Sequence, residues 1–215
     1  MLQRGRVMLP GPDGPEAAAD ARGRLVDVFE VSDFLSERYR RLFIVDLDGI
    51  EHGNPQLDWL QELSRDTDTW VDAGVPTGEQ AIDVLVTGCR RAVLSTTHLA
   101  SERELLKAWS LSTSLGFEIE VRDGRVVARA KEWNGQNPAD LARHIHEIGL
   151  AQVVLSPRPD DVDWPTVRSV AATGPLWVDG SFAVADAPRL SEAGASGGIF
   201  HIGGLLEERA REEAR

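Results

Sequence analysis

Seven short apolar, β-branched runs recur along the chain at nearly even spacing, each followed by a stretch with helix signals. This alternation constrains the fold more than any other feature. The runs are RLFIVDL (41–47), DTWVDAG (68–74), RAVLST (91–96), FEIEVR (117–122), QVVLSP (152–157), LWVDGS (176–181) and GGIFHIG (197–203). Several are apolar on both faces, as strands are when both sides of a sheet are covered. The intervening stretches carry helix start and stop signals. TGEQAIDVLVTG (77–88) opens on Thr77 and closes on Gly88, SERELLKAWSLSTSLG (101–116) opens with the Ser101/Glu104 capping-box pair, and NPADLARHIHEIGL (137–150) has Pro138 in its first turn. PQLDWLQEL (55–63), stretches near 164–173 and 186–193, and the closing LLEERAREEAR complete the helices. Strand–helix repetition of this kind predicts an α/β fold with a parallel sheet. The even spacing, and the lack of G-x-G-x-x-G after an early strand, favour a (β/α)8 barrel of the TIM type over a dinucleotide-binding sheet.

A barrel of this type needs eight strands, and seven are evident. GRVMLP (5–10) and RLVDVFEV (24–31) are further strand candidates. They flank PGPDGPEAAADARG, which reads as a mobile loop. The expectation is a single barrel domain over residues 1–215, with residues 1–30 irregular and the first barrel strand truncated or absent. A missing strand exposes two sheet edges, so a homo-oligomer or a partner chain covering them is a further expectation.

Composition narrows the function. Among 215 residues, 35 acidic against 23 basic side chains give a net charge of −12. Such a chain is poorly suited to a phosphate backbone or an anionic membrane surface, so nucleic acid and membrane are excluded as main partners. No apolar run approaches the ~18 residues a membrane span needs, and the N-terminus lacks the apolar core of a signal peptide. Cys89 is the single cysteine, which excludes an internal disulfide and a cysteine-based metal site. A cytoplasmic protein acting on a small molecule is expected, with no metal and no organic cofactor.

Function in such barrels sits at the C-terminal ends of the strands. There the sequence offers Asp46 and Asp48 on the first run, Asp72 with Gly74 on the second, and Ser95-Thr96-Thr97 on the third. It offers Glu120 on the fourth, Ser156 on the fifth, Asp179-Gly180-Ser181 on the sixth, and His201 with Gly203 on the last. Carboxylates facing one another across a mouth suit acid/base chemistry, because proximity splits their pKa values. Each aspartate taken singly also reads as a helix cap. His201 reads as a rim or core histidine rather than a ligand, and His144 and His146 do not share a helix face. Trp133 lies in the long connection after 117–122, where it could cover a ligand or pin the loop, and GRVVARAKEW there could form a small hairpin.

The order VDLDG, VDAGVPT, RAVLSTTHL, then EIEVRDGRV with a later tryptophan, is similar to the HisA/HisF family of histidine biosynthesis, over about residues 30–207. The resemblance implies a barrel whose relatives include an aldose–ketose isomerase that opens an aminoaldose ring by an Amadori rearrangement. It implies an acid/base carboxylate at Glu120, and in the isomerase reading Asp46 or Asp48 is its partner or a hydroxyl-binding group. Asp48, Asp72, Trp133, Ser156 and Asp179 would contact substrate, and Gly74, Thr96, Gly180, Ser181 and Gly203 would hold phosphate. The sequence also departs from the family pattern. LQRGRVM (2–8) resembles the turn just after the family's first-strand aspartate, so that residue would fall at Met1. Either the coding region begins upstream, or the strand and its aspartate are absent. Asp72-Ala73-Gly74, Ser95 and Asp179-Gly180-Ser181 replace phosphate-cradling glycines, which implies a different or less charged ligand. Two functions therefore compete: a divergent isomerase or related lyase acting on a small phosphorylated sugar or ribotide, and a non-catalytic binding or assembly protein on a decayed barrel.

Overall fold

The computed structural model describes residues 1–20, 22–157, 162–180, 182 and 184–206. The chain opens with β1 (Leu2–Gln3), β2 (Arg6–Gly11) and β3 (Gly14–Ala17), joined as a small antiparallel sheet. Then follow α1 (Val28–Ser36), β4 (Arg41–Val45), α2 (Leu47–His52), α3 (Leu57–Leu63), β5 (Asp68–Asp72), α4 (Gly78–Val86), β6 (Arg91–Ser95) and α5 (Glu102–Leu111). The second half carries β7 (Leu115–Arg122), β8 (Arg125–Val126), α6 (Pro138–Ile148), β9 (Val153–Pro157), α7 (Trp164–Ala171), β10 (Leu176–Asp179), α8 (Ala187–Glu192) and β11 (Gly197–Ile199).

Seven strands pair in parallel in the order β4-β5-β6-β7-β9-β10-β11, so each neighbours the next along the chain and a helix returns between them. This is a nearly closed α/β barrel. β8 is the exception, pairing antiparallel with β7. Its two-residue turn, Asp123-Gly124, has φ of 52° and 69°, the left-handed pair that a tight hairpin demands and that glycine supplies at the second position.

Strand parity separates two apolar layers. Trp70, Val93 and Val154 point inward and form their own cluster with Phe43, Trp177 and Ile199, plugging the barrel below its mouth. The alternate residues Val71, Leu94, Phe117, Ile119, Leu155 and Val178 point outward into the layer beneath the helices. At the floor, the Arg41 guanidinium lies 4.6 Å from the Trp70 ring and 4.9 Å from the Trp177 ring.

The N-terminal region differs from expectation in two ways. GRVMLP is a strand, β2, but it pairs within the separate antiparallel sheet through the Gly11–Gly14 turn, so part of the expected loop is the hairpin strand β3. Residues 24–31 contain no barrel strand. The Asp27 side chain accepts from the Phe29 and Glu30 amides and starts α1, whose buried residues Val28, Val31 and Leu35 follow helical rather than strand spacing.

β4 and β11, at the two ends of the sheet, are not paired with each other among the described residues. The first barrel strand is represented by a single rung, a parallel bridge from Leu2 to Asp46. Below that rung lies an apolar slot of about 620 Å³, lined by Val31, Leu35, Leu42, Ile44, Trp177 and Ile199 among others.

Candidate active site

The inward parity that places Trp70, Val93, Val154 and Trp177 in the inner layer brings Asp72, Ser95, Ser156 and Asp179 to the mouth two residues later. β7 contributes twice, through Glu118 and Glu120. Register sets the neighbours: Ser95 lies beside Glu118, and Glu120 beside Ser156. The Ser156 hydroxyl donates to Glu118 Oε1 and lies 3.4 Å from Asp179 Oδ2. His201 Nε2 lies 3.8 Å from Asp179 Oδ1. On the other side, Thr97 Oγ1 donates to Glu120 Oε1 at 3.0 Å, and His98 Nδ1 lies 2.8 Å from Ser95 Oγ and 3.3 Å from Thr97 Oγ1.

Burial dominates the electrostatics. Glu118 and Asp72 are only 7% and 5% exposed. Burial, then the charges of Asp72 and Asp179, push the Glu118 carboxyl well above the usual glutamate range, against the opposing bond from Ser156. Burial also raises Asp72, partly offset by the Gly74 amide and His98. It raises Asp179, partly offset by His201 and Ser156. The mouth therefore holds three carboxyl groups whose burial favours the protonated form.

The folded protein holds the Glu118 proton at pH values where the unfolded chain has released it. Stability linked to this group thus falls as pH rises above the ordinary glutamate range toward the raised folded value. Glu118→Gln removes that cost and can keep the Ser156 bond. The expected result at neutral pH is a gain of about 1 kcal/mol or more, roughly 2–4 °C in Tm, shrinking as the pH approaches 4. Thermal unfolding at several pH values measures it.

The structure brings Asp72, Glu120, Ser156 and Asp179 together. It places the other sequence candidates elsewhere or ties up their polar groups. Asp46 is fully buried and accepts from the amides of Asp48 (3.1 Å), Gly49 (3.3 Å) and Gln56 (2.7 Å), and from Gln56 Nε2 (2.8 Å). Four donors fill its acceptor capacity, so it caps α2 instead of facing the mouth as an acid/base partner. Asp48, 6% exposed, accepts from the Arg4 amide at 2.6 Å and fixes the turn between β1 and β2. Gly49 is needed for contact, since a Cβ there would stand 2.3 Å from the Ala73 carbonyl oxygen. VDLDG is therefore a clamp between the ends of β4 and β5.

Trp133 packs edge to face on Phe117, with ring centroids 5.2 Å apart, in the outer layer under the helices. It pins the long loop to the body instead of covering the mouth, because β7 parity turns Phe117 away from Glu118 and Glu120. Among the expected phosphate positions, the Gly74 amide donates to Asp72 and the Thr96 amide to the Glu118 carbonyl. The Thr96 hydroxyl accepts from the Glu120 amide. The Gly180 amide bonds the Asp179 carboxylate. Gly203 is helical and stands in open surroundings. Ser181 lies outside the described residues.

Sequence reasoning missed Glu118 and His98; it placed Ser95 and His201 at strand ends without giving either a role in the chemistry. The signal for Glu118 is the alternation in FEIEV: Phe117, Ile119 and Val121 share one face, which sends both glutamates to the other. Among the described residues, no group of three or more His, Cys, Asp or Glu side chains is arranged to hold a metal ion.

The barrel and its mouth agree with the similarity of this chain to known proteins. A family model described as "Histidine biosynthesis protein" matches residues 19–157. The chain belongs to this family. The match begins just after the N-terminal sheet and runs through β9, so it includes Asp72, Ser95, Glu118, Glu120 and Ser156, while Asp179 and His201 lie beyond it. Curated relatives are isomerases named for a phosphoribosyl imidazole-4-carboxamide. The one from Haloarcula marismortui is 29% identical over 181 residues, 80% of this chain and 68% of that protein. The one from Shewanella frigidimarina is 25% identical over 206 residues, 86% of this chain and 84% of that protein. Two solved structures share the fold. 3-Hexulose-6-phosphate synthase superposes with a TM-score of 0.58 at 11% identity, covering 79% of this chain and 81% of that one. N-(5′-phosphoribosyl)anthranilate isomerase from Pyrococcus furiosus gives 0.57 at 15% identity, covering 88% and 95%. The histidine-biosynthesis family is thus present here with a mouth lined by carboxyl groups whose neighbouring amides are already engaged.

Proposed function

We propose that this protein is an isomerase of the aldose–ketose, Amadori type, acting on a small sugar or ribotide through carboxylate acid/base chemistry. The observation that carries the reading is the mouth itself: Glu120, partly exposed and held by Thr97, shares it with the buried Asp72 and Glu118 and the half-buried Asp179. The names of the curated relatives support the same reaction class. Glu120 is the group we assign to move the substrate's C2 proton. The buried carboxyl groups beside it set the local field and can bind hydroxyl groups. The engaged amides of Gly74, Thr96 and Gly180 favour a ligand with fewer anionic groups than a doubly phosphorylated ribotide.

The test is proton exchange. The full chain is incubated in D2O with ProFAR and with glycosylamines of ribose and of ribose 5-phosphate, and NMR follows the C2 proton. Enzyme-dependent loss of that signal with ketose formation is the expected result, and retention of the proton in every substrate overturns the reading. A second reading, a binding or assembly protein, is favoured by the two ends of the sheet, β4 and β11, which are not paired with each other among the described residues. It predicts no exchange, together with a complex whose formation protects that seam.

A further inference from the structure

The isomerisation proposed above needs two proton-transferring groups at separate positions, and Glu120 supplies one of them. The carboxylates of the first three strand runs and Glu118 cannot supply the other. Asp46 is saturated by four donors, and Asp48 is buried against the Arg4 amide. Asp72 and Glu118 lie at the base of the mouth, almost wholly out of contact with solvent. His201 has the opposite properties. It follows β11, three strands round the sheet from β7, and its side chain is 37% exposed. Its Nε2 faces Asp179 Oδ1 at 3.8 Å, and Asp179 is itself held by Ser156 and the Gly180 amide. At that separation the contact is an ion pair rather than a hydrogen bond: the carboxylate draws a protonated imidazole toward it and leaves the other ring nitrogen for the substrate.

We propose that His201, oriented by Asp179, is the second acid/base residue of the mouth. This rests on the isomerase reading. His201 gives a proton to the ring oxygen of the cyclic aminoaldose as the C1–O bond breaks and the nitrogen lone pair forms C1=N. Glu120 takes the C2 proton. The C2–H electron pair forms C1=C2, and the imine pair returns to nitrogen. The neutral imidazole then takes the C2 hydroxyl proton as the C2=O bond forms, and C1 receives the proton held by Glu120. Both residues end in their starting protonation states. Asp179 is a positioning residue, since it acts through the imidazole.

The experiment compares wild type, His201→Gln, His201→Asn and Asp179→Asn, using the substrate that shows C2 exchange with wild type and an open-chain analogue that needs no ring opening. Both His201 variants are expected to lower kcat on the cyclic substrate about a hundredfold with KM changed less than threefold. On the open-chain analogue their C2 exchange stays within threefold of wild type. Asp179→Asn falls between. Circular dichroism and Tm near wild type show that the fold persists. Turnover of the cyclic substrate within threefold of wild type by both His201 variants overturns the assignment and leaves the isomerase reading standing. Wild type inactive on every substrate overturns both.

Discussion

Glu120→Gln is expected to lower kcat roughly a thousandfold, the effect of deleting a positioned general base. Glutamine keeps the shape and retains a carbonyl oxygen to accept from Thr97, so the hydrogen bond at 3.0 Å survives and only the capacity to take a proton is lost. Because the side chain is partly exposed and β7 is held by pairing with β6 and β9, Tm should stay within about 2 °C of wild type. Steady-state kinetics and thermal unfolding on one preparation decide the matter. A loss of tenfold or less removes Glu120 from the proton-transfer step.

Asp46→Ala is expected to do the reverse, costing stability and sparing chemistry. It withdraws the acceptor from three backbone amides and one side-chain amide at a fully buried site. Loss of a cap costs about 1 kcal/mol, and each buried donor left without a partner about 1–3 kcal/mol, so a total of about 3 kcal/mol or more is expected. In a chain of this size that is a fall of roughly 6–12 °C in Tm. Urea unfolding measures the loss, and activity per folded molecule at low temperature should match wild type. A fall below 2 °C, or an inactive folded variant, would return Asp46 to the mechanism.

The contrast between these two acids shows how much the sequence made legible. Strand positions, and hence the barrel, followed from short apolar, β-branched runs punctuated by helix caps, signals that depend on local chemistry. Glu120 could be placed because its strand was clear. Asp46 could not be assigned a role from VDLDG alone, because an aspartate after a strand reads equally as a cap and as a catalytic acid. The deciding donors on Gln56 come from ten residues further on. Trp133 posed the same problem: its loop position was legible, but its partner Phe117 depends on which face of β7 turns inward. The segment 24–31 misled because Val and Leu serve both periods, and the Asp27 cap settled the helix. Glu118 was readable from parity once the strand was accepted. His201 needed the tertiary approach of Asp179, which no spacing in the chain encodes.

The break between β4 and β11, as it stands among the described residues, changes the mechanical character of the molecule. A closed ring of strands has no point from which unzipping can begin, and strain at any rung is shared around the circumference. A cut ring behaves as a rolled ribbon with two lips. The central strands β6, β7 and β9 then form the stiff spine, and compliance grows toward the lips. Glu120 rides on the spine, while His201 rides just beyond one lip. Small opening motions of the ribbon would thus change the separation between the two proposed proton-transferring groups. Any molecule that bridges the lips would tune their spacing without touching either one.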